Sequence, residues 1–334
     1  MDDATRYRPG RGCPPAYGYS PRAFARDAEF STEVLYVIGG LYGNLPALVE
    51  IERMAALEQV PARLVFNGDF HWFDADAAAC AAVDRAVMRH VALRGNVETE
   101  AASDVEANGC GCAYPESVPD EDVERSNRIL RRLRGALRAA ERELPGLRSR
   151  LAALPMHRVA AVGDARIGIV HGDAWALAGW RFAHDALHGG DDSALVRAFG
   201  QAAVDVFAST HTCLPALKLV ATAAGECAVV NNGAAGMPNF RGNRSGLITR
   251  IATHPVPAAL ASARRYGTDV AGVYVDALDV RFDATAWDRE FRRLWPGGSA
   301  AEMSYAHRMA HGPDYTVDDA LGRIARAACA AAAA

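Results

Sequence analysis

The side chains best suited to hold a metal in this sequence stand singly, one to a loop, far apart along the chain. Asp69, Asn96, His171 and His211 each follow a short apolar run, as do Gly40 and Tyr42 in the first such loop and Cys213 in the last. A carboxylate, an amide oxygen and two imidazoles make a donor set for Mn, Fe or Zn in a five- or six-coordinate site with positions open to water. A lone loop histidine is more often structural than a ligand. Four such residues at separate strand ends carry more weight, because ligands bind at the rim where the strands of an open α/β sheet end.

The elements that must position these residues are legible in outline. Residues 33–38, 63–66 and 91–93 read as strands. Between the first two, Pro46 suits a first helical turn, and Leu48, Ile51 and Met54 recur at helical spacing. Asp74 or Asp76 caps the next helix, which turns Val83 and Val87 inward. This β-α-β-α-β order implies a parallel sheet with right-handed crossovers. Residues 99–155 then break the rhythm with a loop holding Cys110-Gly111-Cys112, followed by Leu133, Leu137, Leu144, Leu147, Leu151 and Leu154 at helical spacing. The spacing predicts one long amphipathic helix bent at Pro145, with an arginine-rich face turned to solvent.

Gly163-Asp164 between two apolar runs signals a hairpin whose second strand ends at His171. Strands at 204–208 and 227–230 run into Ser209-Thr210-His211-Thr212-Cys213 and Asn231-Asn232-Gly233. Further strands are expected at 246–252 and 270–282, with helices at 285–295 and 303–309. Residues 1–32 read as an irregular lead-in with a short helix near 21–27. Residues 301–334 read as a helical extension whose alanine-rich end, 327–334, frays.

Composition bounds the function. The chain has 334 residues, 50% hydrophobic and 23% charged, with a formal net charge of −4. That is ordinary globular composition, and no strong field marks nucleic acid or anionic membrane as a partner. No run is long enough to span a bilayer and no apolar leader opens the chain. Seven scattered cysteines, an odd number, argue against a disulfide framework and for a reducing cytoplasm.

In order and wording, the polar loops resemble those of the calcineurin-like metallophosphoesterase superfamily, and within it the small bacterial phosphodiesterase branch. The residues that carry the resemblance are Gly40-Leu41-Tyr42-Gly43-Asn44-Leu45, Gly68-Asp69, Arg94-Gly95-Asn96, Val170-His171-Gly172, Thr210-His211-Thr212-Cys213-Leu214-Pro215 and Asn231-Asn232-Gly233. The match spans roughly residues 33–300, interrupted by the helical insertion at about 99–155. The resemblance implies an α/β fold, a layered β-sandwich flanked by helices, and a metal-dependent hydrolysis of phosphomonoesters or phosphodiesters. It implies one complete ligand set, Asp69, Asn96, His171 and His211. A second set is stripped, with Gly40, Tyr42 and Cys213 in place of its own ligands. The superfamily's general-acid histidine is Val97 here, and its partner acid is Glu98.

One divalent ion follows from this, and a second only if the altered half is refilled. Candidates for refilling are Cys213, Cys110 and Cys112 as thiolates, Tyr42, and His71. In extended backbone His71 would share a side with Asp69, as a ligand or as proton donor to a leaving group. Its alternative is a stacking role beside Trp72 and Phe73. Asn44, Asn231 and Asn232 either support the site or close the turns beside it. The expected partner is a small phosphorylated or anionic substrate. The alternatives are a metal- or anion-binding protein without turnover, and a mononuclear, cysteine-containing metalloenzyme of another reaction class.

Overall fold

In the computed structural model, which describes residues 8–323, two six-stranded sheets face each other between helical layers. In chain order the strands are β1 (Phe30–Thr32), β2 (Val34–Ile38), β3 (Arg63–Asn67), β4 (Val91–Leu93), β5 (His157–Val162), β6 (Ala165–Val170), β7 (Val206–Ser209), β8 (Pro215–Thr222), β9 (Gly225–Asn232), β10 (Gly246–Ala252), β11 (Arg264–Val270) and β12 (Val273–Val280). The helices are α1 (Leu45–Ala55), α2 (Ala77–Val87), α3 (Asn96–Ala102), α4 (Asp120–Ala140), α5 (Leu147–Ala153), α6 (His184–His188), α7 (Ser193–Ala202), α8 (Ala284–Leu294), α9 (Ala300–His311) and α10 (Val317–Ala320).

Strand β2 shows how the layers arise. Val34, Tyr36 and Ile38 join an apolar cluster with α1, α2 and α4, whereas Leu35 and Val37 join one that also contains Ile167, Ile169, Val206 and Val230 of the other sheet. A two-residue period sends alternate side chains to opposite faces. Because both faces are covered, the strand reads as an unbroken apolar run. On the far side of the second sheet, Phe182, Leu195, Phe199 and Phe207 form a third cluster under α7.

One sheet runs β11-β12-β10-β2-β3-β4 and the other β1-β5-β6-β7-β9-β8. Each has a parallel centre, β2-β3-β4 in the first and β6-β7-β9 in the second. Parallel neighbours must end on the same side. The two centres meet at that rim, where the Asn67 amide at the end of β3 donates to the Val170 carbonyl at the end of β6.

Several expectations are corrected. The lead-in is partly a sheet element: β1 pairs in parallel with β5, Phe30 opposite Ala160. A three-residue strand is too short to display a period. The single bent helix is two, because α4 ends at Ala140 and α5 starts at Leu147 after Gly146 in the left-handed region (φ 78°). Asn96 and Glu98 lie in the first turn of α3 rather than in a loop. The run at 270–282 is the second half of the β11–β12 hairpin. Helices α6 and α7 fill a stretch the sequence left unread. The alanine-rich end at 327–334 lies outside the described residues.

Candidate metal centre

The centre forms where the loops after β3, β6 and β7 meet the first turn of α3. His171 Nε2 lies 3.1 Å from Asn96 Oδ1, 3.1 Å from His211 Nδ1 and 3.3 Å from Asp69 Oδ2. All four residues are buried. Among the described residues, Asp69, His171 and His211 are the one group of three or more acidic, imidazole or thiol ligands whose atoms lie within 4.8 Å of one another. The close crossing needs a glycine: a Cβ on Gly95 would sit 2.2 Å from Asp69 Oδ1 and 2.9 Å from His171 Cε1.

Hydrogen bonds on the outer sides of these groups fix what they present inward. His171 Nδ1 faces the Asn67 carbonyl at 2.9 Å, and His211 Nε2 faces the Cys112 carbonyl at 3.0 Å. A carbonyl only accepts, so each of those nitrogens carries the proton, and the other ring nitrogen turns a lone pair inward. The Asn96 amide donates to the Cys110 carbonyl (3.0 Å) and the Cys112 sulfur (3.5 Å), which leaves Oδ1 facing the centre. Asp69 Oδ1 accepts from the Val97 N–H at 3.1 Å. Four lone-pair atoms therefore face one another with no neutral donor among them. Such a cluster is repulsive unless a cation, proton or metal ion, sits within it. Outer partners of this kind are what orient metal-bound imidazoles and carboxylates, so the residues present fit a divalent transition metal.

The electrostatics agree. Burial alone would lift Asp69, but facing His171 holds its carboxyl below the usual range. Burial opposes the charge on His171, yet Asp69 raises its pKa above the ordinary histidine value. His211 is pushed down to about 3 by burial and by facing His171.

The other half of the cleft is closed. The Tyr42 hydroxyl lies 2.9 Å from Cys213 Sγ, and a Cβ on Gly40 would sit 2.9 Å from the Tyr42 ring. Phe73 packs tilted against that ring, and Tyr305 of α9 meets Phe73 edge-on. The three thiols expected to rebuild a second site do not gather. Cys110 is buried away from the pocket, the Cys213 sulfur is engaged by the Tyr42 hydroxyl, and no thiol joins the converging group of Asp69, His171 and His211.

Two catalytic expectations also fail. Glu98 is fully buried, and its carboxylate accepts from the backbone N–H groups of Gly95 and Asp69 (2.8 Å each), Phe70 (3.0 Å) and His71 (3.3 Å). It clamps the second and third loops together and does not line the pocket. His71 is fully buried too, with Nδ1 2.6 Å from Asp74 Oδ2. The extended-backbone argument breaks at Asp69, whose φ of 54° turns the chain before His71 is reached.

The asparagines have turn-closing partners. Asn44 caps α1 and donates to the Gly236 carbonyl. Asn231 donates to Phe182 O and Thr212 Oγ1, and Asn232 to Gly39 O and Leu247 O. The arginine face of α4 pairs locally, Arg131 with Glu124 and Arg138 with Asp104, and does not line the pocket.

Beside the lone-pair cluster lies a cavity of about 150 Å³ lined by Trp72, Val97, Tyr114, Trp180, Thr212 and Tyr305, among others. Sequence reasoning missed this aromatic wall. Trp72 adjoins a recognised loop, but Tyr114, Trp180 and Tyr305 sit at no spacing that would join them.

No family model and no curated protein matches the sequence. Solved structures do match. A hypothetical protein from Pyrococcus horikoshii is similar at 17% identity and a TM-score of 0.55, over 84% of this chain and 99% of that one. A metallophosphoesterase from Sphaerobacter thermophilus is similar at 14% identity and a TM-score of 0.50, over 84% of this chain and 100% of that one. At these identities the likeness is one of fold. With two facing sheets, helical outer layers and the polar loops on one rim, the chain has the calcineurin-like metallophosphoesterase fold.

Proposed function

We propose that this protein is a mononuclear metallohydrolase that cleaves phosphodiesters carrying a flat aromatic group. Asp69, Asn96, His171 and His211 would hold one Mn, Fe or Zn ion. Bound there, such an ion supplies Lewis acidity and lowers the pKa of water. The convergence of Asp69 Oδ2, Asn96 Oδ1 and His211 Nδ1 on His171 Nε2 carries the proposal.

The pocket supports the choice of substrate. A divalent ion with Asp69 as its single anionic ligand keeps one net positive charge. Among the described residues no Lys or Arg lines the pocket, and a buried charge needs a partner. A singly negative diester balances the centre, whereas a doubly negative monoester leaves one charge over. Trp72, Tyr114, Trp180 and Tyr305 flank about 150 Å³, a volume that in an apolar cavity takes a benzene-sized ring. Burial holds the Tyr305 phenol neutral, and its oxygen accepts from Trp72 Nε1 at 3.2 Å, so its own O–H is free to donate to a phosphoryl oxygen. Val97 gives the leaving group no proton, so esters with acidic leaving groups should react fastest.

The test is elemental analysis of protein purified without added metal, then assays of bis(p-nitrophenyl) phosphate and p-nitrophenyl phosphate with Mn, Fe and Zn. About one ion per chain and preference for the diester are expected, and protein that takes up no metal overturns the proposal. The closed second half and Val97 favour one rival reading, a protein that binds a metal and an anion without turnover. Metal and diphenyl phosphate binding with no hydrolysis of either ester would select it. The six described cysteines are free thiols, and no helix among the described residues is long and apolar enough to cross a membrane. Both fit the cytoplasmic setting we propose.

A further inference from the structure

Two of the four converging residues take their orientation from the sandwich itself. His171 is held by the Asn67 carbonyl on β3, and Asp69 by the Val97 N–H. The other two take theirs from the insertion. The Cys112 carbonyl receives the His211 Nε2–H at 3.0 Å and also the Trp180 indole N–H at 2.9 Å. The Cys110 carbonyl and the Cys112 sulfur receive the two amide hydrogens of Asn96. With those acceptors gone, the amide would be free to turn over and His211 free to place its proton on Nδ1. Either change points a hydrogen where a lone pair is needed.

We propose that the Cys110-Gly111-Cys112 segment is a positioning element of the metal centre, through two backbone carbonyls and one sulfur acceptor rather than as ligands to the metal. The inference rests on the four residues being metal ligands. Its geometry depends on Gly111, which has φ 67° and packs so closely that a Cβ would lie 2.5 Å from the Tyr17 hydroxyl and 2.7 Å from Glu100 Cγ. Tyr17 and Glu100 are themselves buried and bonded to each other at 2.7 Å. Asn127 Oδ1 anchors the Cys110 N–H at 2.9 Å, so the segment is tied to α4 as well. The insertion thus bears on which way two metal-facing side chains point, beyond bordering the cavity.

The test uses the full chain, stripped of metal and titrated with zinc in a calorimeter. Gly111→Ala, which must shift the segment, should weaken zinc binding by about tenfold or more, the usual effect of losing such a partner. Cys112→Ala removes one Asn96 acceptor without backbone strain; it should weaken zinc binding about threefold, with recovery in Cys112→Ser. Long-range proton–nitrogen NMR of the metal-free protein supplies a readout that a purely structural role would not move. In wild type His211 should be wholly the Nε2–H form, and Gly111→Ala should mix in the other. A Gly111→Ala protein with wild-type zinc affinity and a pure Nε2–H His211 overturns the inference. If wild type takes no zinc, the proposed function falls and this inference with it; if wild type binds zinc and Gly111→Ala matches it in affinity and His211 proton position, this inference falls alone.

Discussion

The two halves of the cleft are built on neighbouring strand ends and are furnished in opposite ways. On one side Asp69, Asn96, His171 and His211 present lone pairs inward and have their outer atoms bonded to carbonyls or N–H groups. On the other side Gly40, Tyr42 and Cys213 present a closed contact, the hydroxyl on the sulfur and the ring over the glycine. The Tyr42 ring occupies the space a side chain at residue 40 would need, and its hydroxyl uses the sulfur at residue 213. The three residues form one packed unit against the aromatic wall.

The two halves share one backbone feature. Tyr42 and Cys213 keep left-handed φ values of 56° and 61°, beside 54° at Asp69. For residues with a Cβ that conformation costs roughly 1–2 kcal/mol each. The first two loops stay locked together by Gly40 N–H to Gly68 O and Tyr42 N–H to Asp69 O, both at 3.2 Å. Both sides of the cleft thus rest on left-handed loop residues, while only one side presents lone-pair donors inward.

The sharpest way to break the comparison is to remove a ligand from the intact side. His171→Ala takes away the nitrogen on which three acceptors converge. Metal content by elemental analysis should fall from about one ion per chain to near zero, a loss of about 100-fold or more in affinity. Retention of a full equivalent would show that the ion lies elsewhere.

The next effect is a gain. The triple variant Gly40→Asp, Tyr42→His, Cys213→His should raise zinc stoichiometry from one toward two, at affinities in the micromolar range or about 8 kcal/mol. Gly40→Asp alone should bind no second ion, because the Tyr42 ring blocks its side chain. A triple variant that folds and still binds one ion would mean the α9 wall, not the ligand set, closes that half.

A pH titration sharpens the intact side. Protons compete with metal for His171, whose pKa is raised, so affinity should be full at alkaline pH and fall as pH drops through a value above the ordinary 6.5. His211, held near 3, adds no second proton in that range. The loss should therefore run at about tenfold per pH unit rather than a hundredfold. A two-proton slope from calorimetry between pH 8 and 5 would contradict the assignment.

Smaller effects separate clamp from wall. Glu98→Gln turns an amide N–H toward backbone N–H donors, and urea unfolding should show a loss of about 2–3 kcal/mol with weaker metal binding. Tyr42→Phe removes only the bond to Cys213, for a loss of about 1 kcal/mol and no change in metal content.

The sequence by itself determined the fold and singled out four polar residues that the structure brings together. Strands buried on both faces read as apolar runs whatever surrounds them, as at β2 and β6, and each donor sits at or just beyond the end of one. Only the tertiary structure decided which polar side chains face the centre. A single left-handed residue, Asp69, turned His71 away from the pocket. A cluster of backbone N–H groups from two crossing loops made Glu98 a clamp. The insertion met the site through the carbonyls of Cys110 and Cys112, which no side-chain pattern advertises. The aromatic wall joins Trp72, Tyr114, Trp180 and Tyr305 from separate segments. Periodicity reports on neighbours within a turn or a strand, whereas these contacts depend on one dihedral angle or on segments tens to hundreds of residues apart.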